Sequence, residues 1–292
     1  MLLAYLRQLK AQGKTHLAVS DDARQTLRKL YRGELSLRRE PDASQPQEEA
    51  MNPAQAPADS TPGTAAPLPE ATPHAPQPVP TGETAEEKLA SLREQAESWP
   101  PALELGSLRK RMVFATGNPT ADLVLVGEAP GFQEEKQGEP FVGPAGEKLN
   151  QILKAMGLSR EAVYISNICK FRPAMPGQTT NNRKPRPEEM EACLPFVRAE
   201  LEIIRPKVVV ALGATAAQGL LESTESVGKL RGNWHQFTGI PLRVTYHPSY
   251  LLHSDENALG EKRKVWEDML AVMEKLELPI TDKQRGYFQR KK

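Results

Sequence analysis

Four short apolar segments alternate with amphipathic helical segments between Met112 and Leu278, and this alternation constrains the fold more than any other feature. The apolar segments read "ADLVLVGEAPG", "AVYISNICK", "RPKVVVALG" and "IPLRVTYHPS". The helical patterns read "GEKLNQILKAMG", "RPEEMEACLPFVRAELEII", "ATAAQGLL" and "KRKVWEDMLAVMEKLEL". Strands that alternate with helices predict an α/β fold, here a three-layer sandwich with a central, mainly parallel four-stranded sheet.

Composition divides the rest of the chain. Residues 1–34 have a helical rhythm and predict a small helical N-terminal extension. Residues 35–83 are expected to form a disordered linker, because the stretch 41–80 holds eleven prolines and no aromatic residue. The α/β domain is expected over residues 84–280, and residues 281–292 are expected to form a basic tail.

Bulk charge and hydropathy exclude several classes of protein. The 38 Lys and Arg nearly balance the 37 Asp and Glu, so any basic surface must be local. No apolar run reaches the roughly 18 residues of a membrane helix, and the N-terminus lacks the uninterrupted apolar region of a signal peptide. Two cysteines in 292 residues suit a reducing compartment. A monomeric cytoplasmic protein is expected.

Polar side chains follow three of the predicted strands at the point where each strand ends. In open parallel sheets, binding sites form beyond these carboxyl ends. The turns "GEAPG", "SN" and "HPSYLL" should therefore bring Glu128, Asn167 and His247 together. Phe141 lies in "GEPFVGPAG", a Gly- and Pro-rich loop where an aromatic ring can stack on a base.

Each of these residues also has a plain structural interpretation. Glu128 can be a surface carboxylate, Asn167 a strand-end amide, His247 a cap for local backbone and Phe141 a core ring. The functional interpretation depends on their combination. An amide reads a planar edge with one donor and one acceptor, and a histidine can donate a hydrogen bond to a developing anion.

Several longer blocks of the sequence carry a family resemblance. The blocks are "VFATGNPTADLVLVGEAPGFQEEKQGEPFVGPAGEKLNQIL", "VYISNICKFRP", "RPKVVVALGATAAQ", "GNWHQFTGIPL" and "HPSYLL". In order and spacing, from about residue 112 to 273, they resemble family 4 uracil-DNA glycosylases. The resemblance implies that the chain acts on uracil-containing DNA and cleaves the N-glycosidic bond after base flipping. A non-catalytic DNA-binding relative is the alternative, and the N-terminal helices could recruit a protein partner.

The resemblance also implies roles for individual residues. Phe141 would stack on the flipped uracil, Asn167 would read its polar edge, and His247 would stabilise negative charge at uracil O2. Glu128 would orient the attacking water or steady the sugar cation. Glu134 would lie near the 5 position of the base and exclude the methyl group of thymine.

Further positions would contact the base or the DNA. By the same resemblance, the backbone around Ala129 and Gly131 would line the pocket. Ser249 would touch a phosphate. Leu251 or Leu252 would fill the gap that the flipped nucleotide leaves in the stack, as apolar wedges do in other DNA-bending proteins.

The cysteines depart from the family pattern. The family generally holds a 4Fe–4S cluster with four cysteines. This chain has Cys193 at the last of the four positions and Phe171 at the third, with Cys169 two residues earlier and no cysteine upstream. Because such a cluster is held by thiolates, the sequence predicts a protein with no cofactor and no metal.

The loop "AMPGQTTNNRKPRPEE" is longer than in the plain family. A related subfamily carries a histidine here that attaches covalently to DNA, and this loop has none, so covalent attachment is not expected. Its Arg183, Lys184 and Arg186 either contact phosphate or face solvent.

Overall fold

A mixed sheet forms the centre of the fold in this computed structural model, which describes residues 76–252 and 258–288. Numbered in chain order, the strands are β1 Leu108–Met112, β2 Thr116–Gly117, β3 Leu123–Gly127, β4 Tyr164–Asn167, β5 Phe171–Pro173, β6 Val208–Leu212, β7 Trp234–Phe237 and β8 Ile240–Thr245. The six-stranded central sheet has the order β2-β4-β3-β6-β8-β7. Strands β1 and β5 pair antiparallel in a separate two-stranded sheet.

The predicted α/β class and its parallel centre are confirmed. Strands β4, β3, β6 and β8 are the four predicted strands, and each is parallel to its neighbour. The predicted sheet was too small, because β2 and β7 add antiparallel edges. The sequence pattern missed them for a physical reason. Strand β2 has two residues, and the "WHQF" of β7 lies at a largely exposed edge without apolar alternation.

Helices cover both faces of the sheet. They are α1 Ala85–Glu97, α2 Pro100–Leu103, α3 Phe132–Gln137, α4 Pro144–Met156, α5 Pro187–Ile204, α6 Ala214–Leu221, α7 Val227–Leu230, α8 Ala258–Lys275 and α9 Asp282–Arg285. Short 3₁₀ turns span Arg160–Ala162 and Pro248–Leu252. None of the helices in the described ranges has both the length and the apolar character needed to cross a membrane.

Two apolar cores lie on opposite faces of the sheet. Leu123 and Leu125 of β3 pack with α4 and α8, whereas Val124 and Val126 belong to the core that includes α1, α5 and α6. This period of two is the side-chain alternation of a strand that is buried on both faces. The result is the predicted three-layer sandwich.

The predicted terminal segments are only partly covered. The N-terminal helical segment, residues 1–34, lies outside the described residues, as does the linker up to residue 75. At the other end, the expected tail begins with α9, whose Gln284 amide donates to the carbonyl of Ala155 at 2.8 Å. Trp266 Nε1 donates to the Gln284 carbonyl at 2.7 Å, so this part of the chain packs on the domain.

Candidate active site

The carboxyl ends of the parallel strands border a cavity of about 620 Å³. Glu128 follows β3, Asn167 is the last residue of β4, and His247 follows β8 by two residues. Phe141 enters from the loop between α3 and α4. The structure brings all four side chains together, and for the three strand-end residues this is what the topology of a parallel sheet predicts.

Gly127 allows Asn167 and Phe141 to approach the same point. A β-carbon at Gly127 would overlap Asn167 Oδ1 and Phe141 Cζ, lying closer to both than real contacts allow. The absence of a side chain at Gly127 therefore lets the strand end sit between the amide and the ring. Both Asn167 and Phe141 are buried, at 2% and 5% exposure.

Phe141 adopts a backbone conformation that non-glycine residues rarely take, with φ of 55°. Such a conformation costs on the order of 1–3 kcal/mol and persists only when its surroundings impose it. Here Arg160 holds the loop, because its guanidinium donates to the carbonyls of Phe141 at 2.9 Å and Pro140 at 2.8 Å. The ring of Phe141 lies 5.6 Å from the ring of His247, measured between centroids.

The hydrogen bonds of His247 define its tautomer. The backbone N–H of Ser249 donates to His247 Nδ1 at 3.2 Å, and the Ser249 hydroxyl lies 2.7 Å from the same nitrogen. A nitrogen that accepts from a backbone N–H carries no proton, so the neutral ring has its proton on Nε2. Burial lowers the pKa of His247 to about 4, although nearby Glu134 acts in the opposite direction. At neutral pH the cavity therefore contains an uncharged imidazole that can donate from Nε2.

Glu134 lines the cavity, but its carboxylate is engaged by the backbone. It accepts hydrogen bonds from the N–H groups of Gly131 at 3.2 Å, Val142 at 3.2 Å and Gly143 at 3.0 Å. The side chain thus ties the loop before α3 to the loop that carries Phe141. Its role against the methyl group of thymine stays a prediction.

The 3₁₀ turn after His247 places Leu251 and Leu252, the two leucines that could fill the gap in the DNA stack, in different environments. Ser249 lines the cavity, as do Ala129 and Gly131 of the "GEAPG" turn. Leu251 is buried at 7% exposure and belongs to the core beneath α4 and α8, so it is not available to enter DNA. Leu252 is 42% exposed and is the leucine that can.

Several cavity residues were missed by sequence reasoning. Tyr246 and Tyr250 line the cavity and stack on each other, with ring centroids 5.0 Å apart. Asn182 also lines it, from the long loop after β5, where its Oδ1 accepts from buried Arg172 Nε at 2.9 Å. The tyrosines flank the histidine in "TYHPSY", which is a usable signal, whereas nothing local marks Asn182.

The basic loop also differs from expectation in one residue. The Arg183 guanidinium is turned inward: it pairs with buried Glu189 and donates to the carbonyls of Ala174 at 2.7 Å and Ser107 at 2.9 Å. Lys184 is exposed and lines the cavity. The loop therefore presents Asn182, Arg183 and Lys184 to the cavity, and the Arg183 guanidinium also fastens the loop to the domain.

Comparison with known proteins agrees with this geometry. The model of the uracil DNA glycosylase superfamily matches residues 114–270, more than half of the chain. The chain belongs to the uracil-DNA glycosylase superfamily. It is 45% identical over 163 residues to a Type-4 uracil-DNA glycosylase of Thermotoga maritima, a match that covers 55% of this chain and 81% of the relative. A Type-4 uracil-DNA glycosylase of Archaeoglobus fulgidus is 41% identical over 159 residues, which cover 51% of this chain and 76% of the relative.

A Type-5 relative is more distant. The Type-5 uracil-DNA glycosylase of Pyrobaculum aerophilum is 30% identical over 159 residues, which cover 48% of this chain and 67% of the relative. Within the uracil-DNA glycosylase superfamily the chain is thus more similar to these Type-4 members, as the motif blocks indicated.

This kinship contradicts the prediction of a protein without a cofactor. The Type-4 uracil-DNA glycosylases to which the chain is similar are iron–sulfur enzymes, so the prediction is corrected. The prediction relied on counting thiols in one chain. That count stands: the chain has two cysteines, and no group of three or more His, Cys, Asp or Glu side chains within the described ranges is placed to hold a metal ion.

The two thiols are both buried, Cys169 just after β4 and Cys193 on α5. A hydrogen bond with Cys193, together with burial, raises the pKa of Cys169 well above its ordinary value. The Cys169 thiol donates to the carbonyl of Glu189, with 3.6 Å between sulfur and oxygen. These donors fit half of a four-thiolate ligand set and not the whole set. The chemistry below is therefore derived from the other side chains of the cavity.

Proposed function

We propose that the protein removes uracil from DNA by hydrolysing the N-glycosidic bond of deoxyuridine after the nucleotide has flipped out of the helix. The observation that carries the proposal is that Glu128, Phe141, Asn167 and His247 line one cavity at the carboxyl edge of a parallel sheet. The printed names of the Type-4 relatives support the same reaction.

The cavity offers uracil a stacking face and a reading edge. Phe141 provides the aromatic face, and stacking on one base contributes roughly 1–3 kcal/mol. The Asn167 amide has both a donor and an acceptor, which match O4 and N3–H of uracil. Cytosine presents the opposite pattern at this edge, so a fixed amide favours uracil. Asn167 is 2% exposed and packed against Gly127, which suits a fixed orientation.

The bond-breaking step releases uracil as an anion. As the N-glycosidic bond lengthens, negative charge develops at O2 and positive charge develops on the sugar. The neutral His247 ring donates from Nε2 to O2 and lowers the barrier, as a preorganised donor to an oxyanion does. The Glu128 carboxylate steadies the sugar cation and orients the water that adds to its C1′ carbon. The proton of that water passes to the carboxylate or to solvent, and uracil is reprotonated after release.

The DNA itself meets the rim of the cavity. Ser249 is placed beside His247 and can contact a phosphate, while exposed Leu252 can occupy the gap left by the flipped nucleotide. Glu134 acts near the 5 position of the base while it ties the two loops together.

The direct test is an excision assay. Purified full-length protein is incubated with single- and double-stranded oligonucleotides that contain one uracil, and alkali then cleaves any abasic site. Strand scission is expected at the uracil and not in matched oligonucleotides with thymine or cytosine at that position. If neither uracil substrate is cleaved, the protein is a DNA-binding relative without catalysis, and the proposal is wrong.

Lys184 is expected to contribute to DNA affinity and not to the rate of the bound state. Lys184→Ala should weaken binding to all DNA sequences and reduce the slope of log affinity against log salt by about one, the effect of losing one phosphate contact. Arg183→Ala is the matched comparison in the same loop. Because its guanidinium bonds to Glu189 and to three carbonyls, that variant should lose thermal stability first. Fluorescence anisotropy at several salt concentrations, with melting curves, separates the two outcomes. An unchanged salt slope in Lys184→Ala would contradict a phosphate contact.

We also propose that one copy of the protein acts on DNA in the cytoplasm, where free thiols such as Cys169 and Cys193 are stable. The same proposal includes the domain limits. They are an α/β domain at residues 84–280, an N-terminal helical segment at 1–34, a linker at 35–83 and a tail at 281–292. The N-terminal segment is a candidate site for a protein partner.

A further inference from the structure

The turn between β6 and α6 touches both proposed catalytic groups. Gly213 occupies the turn with φ of 93°, and a β-carbon there would lie 2.9 Å from His247 Cβ. A side chain at this position would therefore meet His247. The same turn leads directly into α6, whose second residue is Thr215.

Thr215 reaches the other catalytic group. Its hydroxyl donates a hydrogen bond to Glu128 Oε2, across 87 positions of sequence. Thr215 is 7% exposed, so the donor side of this bond is buried, whereas Glu128 itself is half-buried and lines the cavity. Within residues 76–252 and 258–288, no other side chain is seen to donate to the Glu128 carboxylate.

We propose that Thr215 is a positioning residue for Glu128, and that the β6–α6 turn fixes the carboxylate relative to His247. The inference rests on the function proposed above. Glu128 must face the sugar while His247 faces the departing base, so the two groups need a defined separation. A hydroxyl bond to one carboxylate oxygen selects one rotamer and leaves the other oxygen for water. Small errors in such positioning are expensive, because a displacement of about 1 Å can lower a rate roughly 100-fold.

The variants Thr215→Val and Thr215→Ser test this inference. Valine keeps the shape and removes the hydroxyl, so single-turnover excision is expected to fall roughly 10- to 100-fold, the range for a hydrogen bond to a charged group. Affinity for uracil-containing DNA should stay within about threefold, because Thr215 does not line the cavity. Serine keeps the hydroxyl and is expected to restore most of the rate.

A matched control comes from a second buried threonine. The Thr245 hydroxyl donates to Asp268 at 2.9 Å, a carboxylate that lies outside the cavity. Thr245→Val removes the same kind of bond and should lower the melting temperature while the folded protein keeps its rate. A further comparison uses Glu128→Ala, in which Thr215→Val should cause no additional loss of the slow residual cleavage.

The outcomes are distinct. If the parent excises uracil and Thr215→Val is equally fast, the positioning role is overturned. If Thr215→Ser is as slow as Thr215→Val, or if the loss persists in the Glu128→Ala background, the role of Thr215 is structural and the inference is again wrong. A parent without excision activity would instead overturn the proposed function, and the inference with it.

Discussion

Replacing His247 with alanine is expected to slow single-turnover excision of uracil roughly 100- to 1000-fold, which is the usual effect of removing one donor to a developing oxyanion. The geometry makes the donor specific: Ser249 N–H occupies Nδ1, which leaves the proton on Nε2. DNA affinity should change little, because the proposed contact of the half-buried His247 ring is with the flipped base and not with the DNA backbone. Rapid-quench measurement with excess enzyme gives the rate, and anisotropy gives the affinity.

His235 provides the control for this variant. Its Nε2 lies 2.8 Å from the carbonyl of Leu230, and its side chain does not line the cavity. His235→Ala should therefore keep the parental rate. If His247→Ala were as fast as His235→Ala, His247 would be a structural histidine and the mechanism would need another donor.

The pH dependence gives an independent reading of the same residue. Because burial lowers the pKa of His247 to about 4, the ring stays neutral from pH 8 down to pH 6, and its titration should not shape the rate in that range. The folded-state pKa lies below the ordinary 6.5, so the unfolded chain binds the proton first as pH falls. Protonation of His247 in the unfolded chain therefore lowers the free energy of unfolding as pH falls from about 6.5 to about 4. The variant His247→Ala should flatten that part of the curve of stability against pH. If the excision rate of the parent fell with a midpoint near pH 6.5 and that of His247→Ala did not, the result would contradict a neutral His247 donor.

The position of the site at the carboxyl edge of the sheet could be predicted from the sequence, because the order and direction of the strands determine it. Once the apolar segments are assigned to parallel strands, the residues that follow them must meet at one edge. Glu128, Asn167 and His247 each come directly at or after such a segment, so their convergence needed no knowledge of side-chain packing. Phe141 followed from the Gly and Pro residues around it, which indicated a loop.

Other features of the site depend on contacts between distant residues, and no local pattern reports them. Thr215 reads as an ordinary helical residue, and its bond to Glu128 appears only when β3 and β6 are neighbours. In the sequence Arg183 resembles a DNA-binding side chain, and only the structure shows that it pairs with Glu189. Adjacent Leu251 and Leu252 cannot be told apart in sequence, since the geometry of the 3₁₀ turn decides which one is buried. The prediction of no cofactor is corrected on a different ground, because it relied on the number of thiols in one chain while the Type-4 relatives are iron–sulfur enzymes.

The largest effect on stability is expected at a buried ion pair behind Asn167. Lys170 Nζ lies 2.7 Å from Glu200 Oε1, and both side chains are almost wholly buried, at 0% and 1% exposure. Ser166 joins them, since it donates to Glu200 at 2.7 Å while its oxygen lies 2.6 Å from Lys170 Nζ. Lys170→Met leaves the Glu200 carboxylate buried without a counter-charge, which typically costs about 3–5 kcal/mol. For a domain of this size the melting temperature should fall by roughly 6–20 °C.

An exposed ion pair provides the control for Lys170→Met, and the pH dependence of stability shows whether the loss comes from the unpaired charge of Glu200. Lys207 and Asp122 are 2.9 Å apart but 63% and 60% exposed, so Lys207→Met should cost less than about 1 kcal/mol.

Burial raises the pKa of Glu200 above its ordinary value even with Lys170 in place. A group with a raised folded-state pKa stabilises the protein at low pH and loses that contribution as pH rises. The stability deficit of Lys170→Met should therefore shrink as pH falls and Glu200 takes up a proton. A second change, Glu200→Leu, should recover much of the loss at neutral pH because it removes the unpaired charge. A deficit that is independent of pH and is not recovered by Glu200→Leu would mean that Lys170 acts through packing against Phe114, whose ring centre lies 5.0 Å from Nζ, and not through its charge.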